Sequence, residues 1–168
     1  MTRCHTWIQR AEAAMRRIPS TWIATLARFC LATTFWQSGQ SKIEGWAVSW
    51  VSLEWQWGWP RLAESTVPLF RDEYRLPWFD PHGLAVLTAT AEHVLPLLLL
   101  LGLFTRWAAL ALLGMTLVIQ LWVYPGAFMV HGLWAVALLY LMVHGPGCVS
   151  VDAWLRQRSR VADQTIRG

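Results

Sequence analysis

Long apolar stretches separated by short polar interruptions dominate the hydrophobic pattern of the chain. A helix needs about 20 predominantly apolar residues to cross the hydrocarbon core of a bilayer. The pattern predicts four spans, at about residues 21–39, 83–104, 107–124 and 128–144. Because the turns after the second and third spans are short, neighbouring helices should run in opposite directions. The predicted fold class is therefore all-α, an integral membrane antiparallel four-helix bundle within a single domain over residues 1–168.

The connection at residues 40–82 differs from the spans because it is rich in tryptophan. It contains six of the thirteen tryptophans, namely Trp46, Trp50, Trp55, Trp57, Trp59 and Trp78. The segment is too short and too interrupted to be a span. It is predicted to be an interfacial or partly re-entrant loop, because Trp is enriched at the membrane–water boundary. A ligand site built from these rings is the alternative.

Composition supports a membrane protein and argues against nucleic-acid binding. Of the 168 residues, 55% are hydrophobic and 14% are charged, against about 25% charged in a typical soluble domain. The net charge is +4, but the basic residues flank the apolar spans, where they set topology or meet lipid headgroups. The predicted partners are the lipid bilayer and another membrane or membrane-associated protein, with no nucleic acid.

The distribution of basic residues predicts the orientation. One side of the spans collects nine of them, namely Arg3, Arg10, Arg16, Arg17, Arg106, Arg156, Arg158, Arg160 and Arg167. The Trp-rich side has fewer basic than acidic residues. By the positive-inside rule, both tails (residues 1–20 and 148–168) are cytoplasmic and the Trp-rich loop faces outward. The first tail is either an amphipathic helix on the membrane surface or a mobile basic segment.

The sequence contains no complete catalytic motif, so it leaves enzymatic activity undecided. Cys4, Cys30 and Cys148 form no Cys-x-x-Cys pair and are interpreted as ordinary thiols. His131 and His144 each follow a Met-Val pair, a combination that suits copper. They lie near opposite ends of the last span, so no metal site is predicted.

Four polar residues inside the predicted spans are the candidate site. A carboxylate at the centre of a membrane helix costs about 2.5–3.5 kcal/mol, so Glu92 needs a partner inside the protein. Arg28 lies roughly 12 Å and Glu92 roughly 18 Å inside the same membrane face, at 1.5 Å per residue. These depths predict an Arg28–Glu92 interaction, direct or through one intermediary. Gln120 is predicted at a similar depth, and His93 adjoins Glu92.

Arg28, Glu92, His93 and Gln120 are therefore predicted to line an intramembrane polar pocket that binds a cofactor. A buried polar network that only holds the helices in register is the alternative. The sequence alone identifies no cofactor, and the candidate considered is a quinone. In that case Arg28 and Gln120 would hydrogen-bond a quinone oxygen, and Glu92 or His93 would carry its proton.

Several separated motifs resemble the DoxX family of small bacterial inner-membrane proteins over about residues 25–155. They are Arg28 with the run from Phe35 to Gly39 and Lys42-Ile43, Glu92 with Leu101 to Arg106 and Ala108 to Leu110, and Gly145 to Gly147 with Ser150, Asp152 and Leu155. The resemblance implies four membrane helices in the bacterial inner (plasma) membrane. Three residues match positions of the family's motifs, namely Arg28, Lys42 and Glu92. The resemblance implies that they have the roles of the corresponding family residues.

The same resemblance implies a link with membrane redox systems, including a small subunit of a thiosulfate:quinone oxidoreductase. The predicted function is therefore a small membrane subunit of a redox complex, with quinone as the candidate cofactor. The alternatives are a carrier or binding protein for a small solute, peptide or metal, and a membrane scaffold without a ligand. The substrate, the partner protein and the oligomeric state do not follow from the sequence.

Overall fold

Helices make up most of the computed structural model, which describes residues 2–49 and 52–167. The α-helices are α1 (Thr2–Met15), α2 (Ser20–Gln40), α3 (Thr66–Pro68), α4 (Pro81–Leu101), α5 (Thr105–Val118), α6 (Phe128–His144) and α7 (Val151–Arg167). A π-helical segment, Leu69–Tyr74, continues α3, and a second, Ile119–Val123, continues α5. A 3₁₀ turn, Pro125–Ala127, precedes α6.

Three of the four predicted spans are confirmed as helices that are long and apolar enough to cross a membrane. In the described part of the chain these are Pro81–Leu101, Thr105–Val123 and Pro125–His144. The chain is thus a multi-pass membrane protein. The helix α2 coincides with the remaining predicted span and has 21 residues, but it is not among the sufficiently apolar helices. The fourth span therefore stays a prediction.

The helices α2, α4, α5 and α6 share one hydrophobic core. The helix α2 packs on α4 and α6, α4 packs on α5, and α5 packs on α6. The buried residues at these contacts include Ala24, Ala32, Leu99, Ala109 and Leu138. Alanines at the contact faces let the helix backbones approach closely, which is typical of helix contacts in membranes.

Gly39 sets the distance between α2 and α4. A Cβ atom at this position would lie 2.9 Å from His93 Cε1 and 3.1 Å from Glu92 Cβ. Because a real Cβ atom does not approach a carbon atom this closely, the two helices touch at Gly39 only because the residue has no side chain. This contact places the end of α2 level with the middle of α4.

We expect Gly39→Ala to destabilise the protein by about 1–3 kcal/mol, because the added methyl group overpacks the α2–α4 contact. Gly114 in α5 is the matched control, since a Cβ there would meet no atom within 4 Å. Gly114→Ala should leave the stability unchanged or raise it by about 0.5–1 kcal/mol. Denaturant unfolding in detergent measures both changes. Equal effects at the two glycines would contradict the close approach at Gly39.

The Trp-rich segment folds into a short β-hairpin, which the all-α prediction did not include. The strand β1 (Ile43–Glu44) pairs antiparallel with β4 (Arg61–Leu62), and β2 (Ala47–Val48) pairs antiparallel with β3 (Trp55–Gln56). We call residues 43–62 the hairpin. The predicted interfacial position of this segment stays a prediction, and Trp50 lies outside the described residues.

The hairpin is attached to the end of α2 by hydrogen bonds. The indole Nε1 of Trp36 donates to the Val48 carbonyl at 2.7 Å, and the Val48 N–H donates to Gln40 Oε1 at 2.7 Å.

Beyond the hairpin, the hydroxyl of Tyr124 donates to the carboxylate of Glu73. Burial, followed by the neighbouring Tyr124, raises the pKa of Tyr74 to about 12, so this phenol stays protonated at neutral pH.

Candidate functional site

Lys42, and not Arg28, is the charged partner of Glu92. The Lys42 Nζ lies 2.7 Å from Glu92 Oε2, and the two side chains are 6% and 2% exposed. At this distance the ammonium group and the carboxylate form a buried ion pair. Ser38 Oγ donates to Glu92 Oε1 at 3.0 Å, and Lys42 Nζ donates to Ser38 Oγ at 3.0 Å. The buried carboxylate is therefore neutralised and hydrogen-bonded within the chain, as its burial requires.

The chain holds Lys42 in place from both sides. The backbone N–H of Lys42 donates to the Gly39 carbonyl at 3.0 Å, in the turn that ends α2. Its own carbonyl accepts from the N–H of Ala63 at 3.0 Å and from Thr66 Oγ1 at 2.8 Å. Because Lys42 lies beyond the apolar run of α2, the depth comparison did not consider it as a partner for Glu92. Its place in the family motif was the signal that pointed to it.

The predicted Arg28–Glu92 contact is wrong, because Arg28 binds the C-terminal end of α4. Its Nε donates to the Leu99 carbonyl and its Nη2 to the Leu100 carbonyl, both at 2.6 Å. Its Nη1 donates to the carbonyls of Pro146 at 3.0 Å and Val149 at 2.7 Å. The last carbonyls of a helix lack partners within the helix and carry partial negative charge, so a guanidinium stabilises them.

The register of α2 on α4 explains this difference. Gly39 touches Glu92 and His93, and the two helices run in opposite directions. Arg28 lies eleven residues before Gly39, which places it level with the end of α4 and about three helical turns from Glu92. The depth comparison assumed that both spans begin at the same membrane level, which the structure contradicts.

Gly102 completes this end of α4 as a left-handed cap, with a φ of +67°. Its N–H donates to the Leu99 carbonyl at 3.0 Å, and the N–H of Leu103 donates to the Leu98 carbonyl at 2.9 Å. A Cβ at Gly102 would lie 2.9 Å from the Cζ atom of Arg28. Glycine is thus required both by the backbone conformation and by the closely packed guanidinium.

His93 joins α4 to α2 and to the hairpin. One ring nitrogen, Nδ1, lies 2.6 Å from the Ala89 carbonyl, and the other, Nε2, lies 2.8 Å from Gln40 Nε2. Since Gln40 Oε1 accepts from the Val48 N–H, the Gln40 amide must present its NH₂ group to the ring. His93 therefore accepts at Nε2 and donates from Nδ1, which defines its tautomer.

Gln120 does not join Glu92 either. Its hydrogen bonds, within the described residues, are to His131 and Pro125, with Oε1 2.7 Å from His131 Nδ1 and Nε2 donating to the Pro125 carbonyl at 2.7 Å. The π-helical segment that follows α5 changes the helical phase at Gln120, whereas the prediction assumed a continuous α-helix. Of the four predicted site residues, only Glu92 and His93 are brought together.

A groove of about 370 Å³ lies between the hairpin and the exposed face of α4. We call it the aromatic groove; it is lined by Trp36, Ile43, Trp46, Pro60, Arg61, Leu62, Val86, Ala89, Thr90, His93, Val94 and Leu97. The His93 ring lies 5.0 Å from the Trp36 ring and 5.9 Å from the Trp46 ring, between centroids. The volume of the aromatic groove is within the range of small-molecule sites. A ligand site built from the tryptophans of the Trp-rich segment, which include Trp46, is the alternative interpretation of the sequence, but the wall that α4 and His93 contribute was not predicted.

The hydrogen-bond donors of the aromatic groove lie on the hairpin. Among the described residues, the indole N–H of Trp46 has no hydrogen-bond acceptor, and Arg61 uses its Nε on Glu44 at 2.9 Å. A planar apolar ligand with a carbonyl oxygen would therefore find rings to pack on and donors at the hairpin side. No group of three or more His, Cys, Asp or Glu side chains in the described part of the chain is placed to hold a metal ion.

Comparison with known families agrees with the motifs that surround this site. The family model of DoxX matches residues 23–125, which is more than half of the chain. The chain belongs to the DoxX family. The match runs from α2 to the turn before α6 and includes Arg28, Lys42 and Glu92, so the resemblance seen in the sequence is confirmed. The closing motif at residues 145–155 lies outside the matched range of this DoxX protein. Neither the curated proteins nor the solved structures gave a match.

Proposed function

We propose that this DoxX protein binds the ring of a quinone in the aromatic groove, as a small membrane subunit of a redox complex. The observation that carries the proposal is the combination of Trp36, Trp46 and His93 rings with free donors on Trp46 and Arg61. Aromatic rings pack on a flat quinone ring. The Trp46 N–H and the Arg61 guanidinium replace Arg28 and Gln120 as the groups that hydrogen-bond a quinone oxygen.

The position of the aromatic groove supports a ligand that enters from the bilayer. One wall is the face of α4, a membrane-capable helix, on which Val86 and Val94 are 43% and 48% exposed. An isoprenoid tail would remain in the lipid while the ring packs against the hairpin. The groove is mostly apolar, as sites for small hydrophobic molecules are.

The membrane arrangement belongs to the same proposal. We place the protein in the bacterial inner membrane, with α2 as a fourth span in an antiparallel bundle and both termini in the cytoplasm. Two features support this placement, namely the packing of α2 on α4 and α6 and the basic residues gathered beside one end of the spans. The hairpin then faces outward, where the exposed Trp57 and Trp59 contact the membrane interface or a partner subunit.

Filling the aromatic groove tests the proposal. Val94 lines the groove and is half exposed, so Val94→Trp adds an indole there without removing a core residue. We expect this variant to bind a short-chain ubiquinone or menaquinone analogue at least about tenfold more weakly, a change of roughly 1.4 kcal/mol. Titration of the purified protein in lipid nanodiscs measures the affinity.

Val136→Trp is the matched control, because Val136 on α6 is 67% exposed and does not line the groove. It should bind the quinone analogue like the unmodified protein. Equal affinity in Val94→Trp and the unmodified protein would show that the quinone binds elsewhere. Absence of measurable binding to the unmodified protein would refute the proposed function.

A ligand-free scaffold is the second candidate, and one observation favours it. The carboxylate of Glu92 already has Lys42 and Ser38 as partners, so it needs no ligand for neutralisation. Replacing both residues, as Lys42→Met with Glu92→Leu, distinguishes a structural role of the pair from a role in ligand binding. A double variant that folds and still binds quinone would assign the pair a structural role only, whereas loss of binding in a folded double variant would link the pair to the ligand.

A further inference from the structure

A second groove, of about 200 Å³, lies at the end of α4 and α5 that is remote from the hairpin. We call it the basic groove; it is lined by Phe104, Arg106, Trp107, Pro146, Asp152 and Arg156. It is located where α7 crosses the turn between two membrane-capable helices. The position is therefore at the edge of the apolar part of the molecule, where lipid headgroups lie.

Two arginines in the basic groove retain unused hydrogen-bond donors. Within the described residues, Arg106 donates from Nη2 to the Val143 carbonyl at 3.2 Å, and Arg156 donates from Nε to the Asp152 carbonyl at 3.0 Å. A guanidinium has five N–H donors, so each arginine can still offer a fork to an anion. Two guanidinium groups on one small groove are suited to a phosphate.

Asp152 also lines the basic groove, but among the described residues its carboxylate binds backbone N–H groups and forms no ion pair with Arg106 or Arg156. Its carboxylate oxygens accept from the backbone N–H groups of Phe104 at 2.9 Å and Thr105 at 3.1 Å. It thus caps the beginning of α5 from a different helix. The backbone N–H of Asp152 donates to the Gly102 carbonyl at 2.9 Å, which fixes α7 against the turn, so that Arg156 lines the same groove as Arg106.

Large apolar side chains stand beside the charges of the basic groove. Phe104 is 62% exposed and Trp107 is 71% exposed. Aromatic residues of this kind are enriched at the membrane interface. A soluble phosphate would leave these rings in water, whereas the acyl chains of a lipid would cover them. The combination of guanidinium groups and exposed rings therefore favours a lipid over a free anion.

We propose that the basic groove binds the phosphate group of an anionic phospholipid, with Arg106 and Arg156 as its ligands and the acyl chains beside Phe104 and Trp107. Arginine pockets next to membrane helices recognise acidic headgroups in this way. The site is separate from the aromatic groove, so it does not depend on the proposed function. It gives this DoxX protein a lipid requirement in addition to any ligand.

Lipid-dependent thermal stability tests the proposal. The delipidated full-length protein in a mild detergent is titrated with phosphatidylglycerol, with phosphatidylcholine of the same acyl chains, and with inorganic phosphate. We expect phosphatidylglycerol to raise the melting temperature at concentrations at least about tenfold lower than phosphatidylcholine. The double variant Arg106→Gln/Arg156→Gln should lose most of this preference. Arg156→Gln alone, on the exposed side of α7, should lose part of it.

The control is Arg71→Gln, since Arg71 is an exposed arginine that pairs with Asp72 outside the basic groove. It should keep the full preference for phosphatidylglycerol. An unchanged preference in both basic-groove variants, or equal effects of the two phospholipids on the unmodified protein, would overturn the proposal. An equal shift with inorganic phosphate would overturn the assignment of the site to a lipid.

Discussion

Lys42→Met is expected to lower the free energy of unfolding by about 3–5 kcal/mol. The substitution leaves the Glu92 carboxylate buried with Ser38 as its remaining partner. Removing one member of a buried ion pair is costly because the other charge stays out of water without compensation. Unfolding in mixed micelles with increasing denaturing detergent measures the loss. The variant should also release the turn after α2, since Lys42 Nζ donates to the Ser38 carbonyl at 3.1 Å.

Two comparisons determine whether the loss comes from the pair. Arg71→Gln breaks the exposed pair with Asp72 and should change the stability little, because exposed ion pairs contribute little. The double variant Lys42→Met/Glu92→Leu should regain much of the stability, since an apolar pair of similar volume avoids burying charges. If Lys42→Met were as stable as the unmodified protein, Glu92 would not depend on Lys42.

Arg28→Gln is expected to destabilise the protein by about 3 kcal/mol or more, because hydrogen bonds from a charged group contribute about 1.5–3 kcal/mol each and are not additive. Arg28 donates to four carbonyls, on the end of α4 and on the segment between α6 and α7. Glutamine is too short to reach both segments. The segment around Pro146 and Val149 should therefore become accessible to proteases before the rest of the protein unfolds.

Arg28→Lys provides the comparison for this prediction. Lysine keeps the charge but presents a single ammonium group instead of a planar fork, so we expect stability between that of the unmodified protein and that of Arg28→Gln. Proteolysis with mass-spectrometric identification of the cut sites distinguishes local from global loss. Unaltered cleavage near Pro146 in Arg28→Gln would contradict the role of Arg28 in joining these segments.

The spans could be predicted from the sequence because each long apolar run carries its own signal. The predicted spans at 83–104, 107–124 and 128–144 overlap the membrane-capable helices Pro81–Leu101, Thr105–Val123 and Pro125–His144. Lateral contacts carry no such local signal. The α2–α4 register depends on the close approach at Gly39, and a shift of a few residues changes which polar groups meet.

The partner of Glu92 was missed for a related reason. Lys42 follows the apolar run, so a search for charges inside the spans considered Arg28 only. The hairpin that holds Lys42 has strands of two residues each, too short for the alternation that predicts a strand. His93 follows Glu92 directly in the sequence, but its contacts with Gln40 and Trp36 form only in the folded protein.

The separation of Arg28 from the Lys42–Glu92 pair changes how this family's motif is interpreted here. Arg28 is one of the motif positions, and it joins helix ends by binding carbonyls. Lys42 and Glu92, also motif positions, form the pair behind the aromatic groove. The three residues therefore stabilise two different parts of the molecule. Substitutions at Arg28 and Glu92 should change the free energy of unfolding independently.

Double-mutant cycles in unfolding free energy test this account most directly. The cycle of Lys42→Met with Glu92→Leu should give a coupling energy of at least about 1.5 kcal/mol, as expected for residues in contact. The cycle of Arg28→Gln with Glu92→Leu should give a coupling within about 0.5 kcal/mol of zero, as expected for separate sites. Strong coupling between Arg28 and Glu92, with none between Lys42 and Glu92, would contradict the arrangement described.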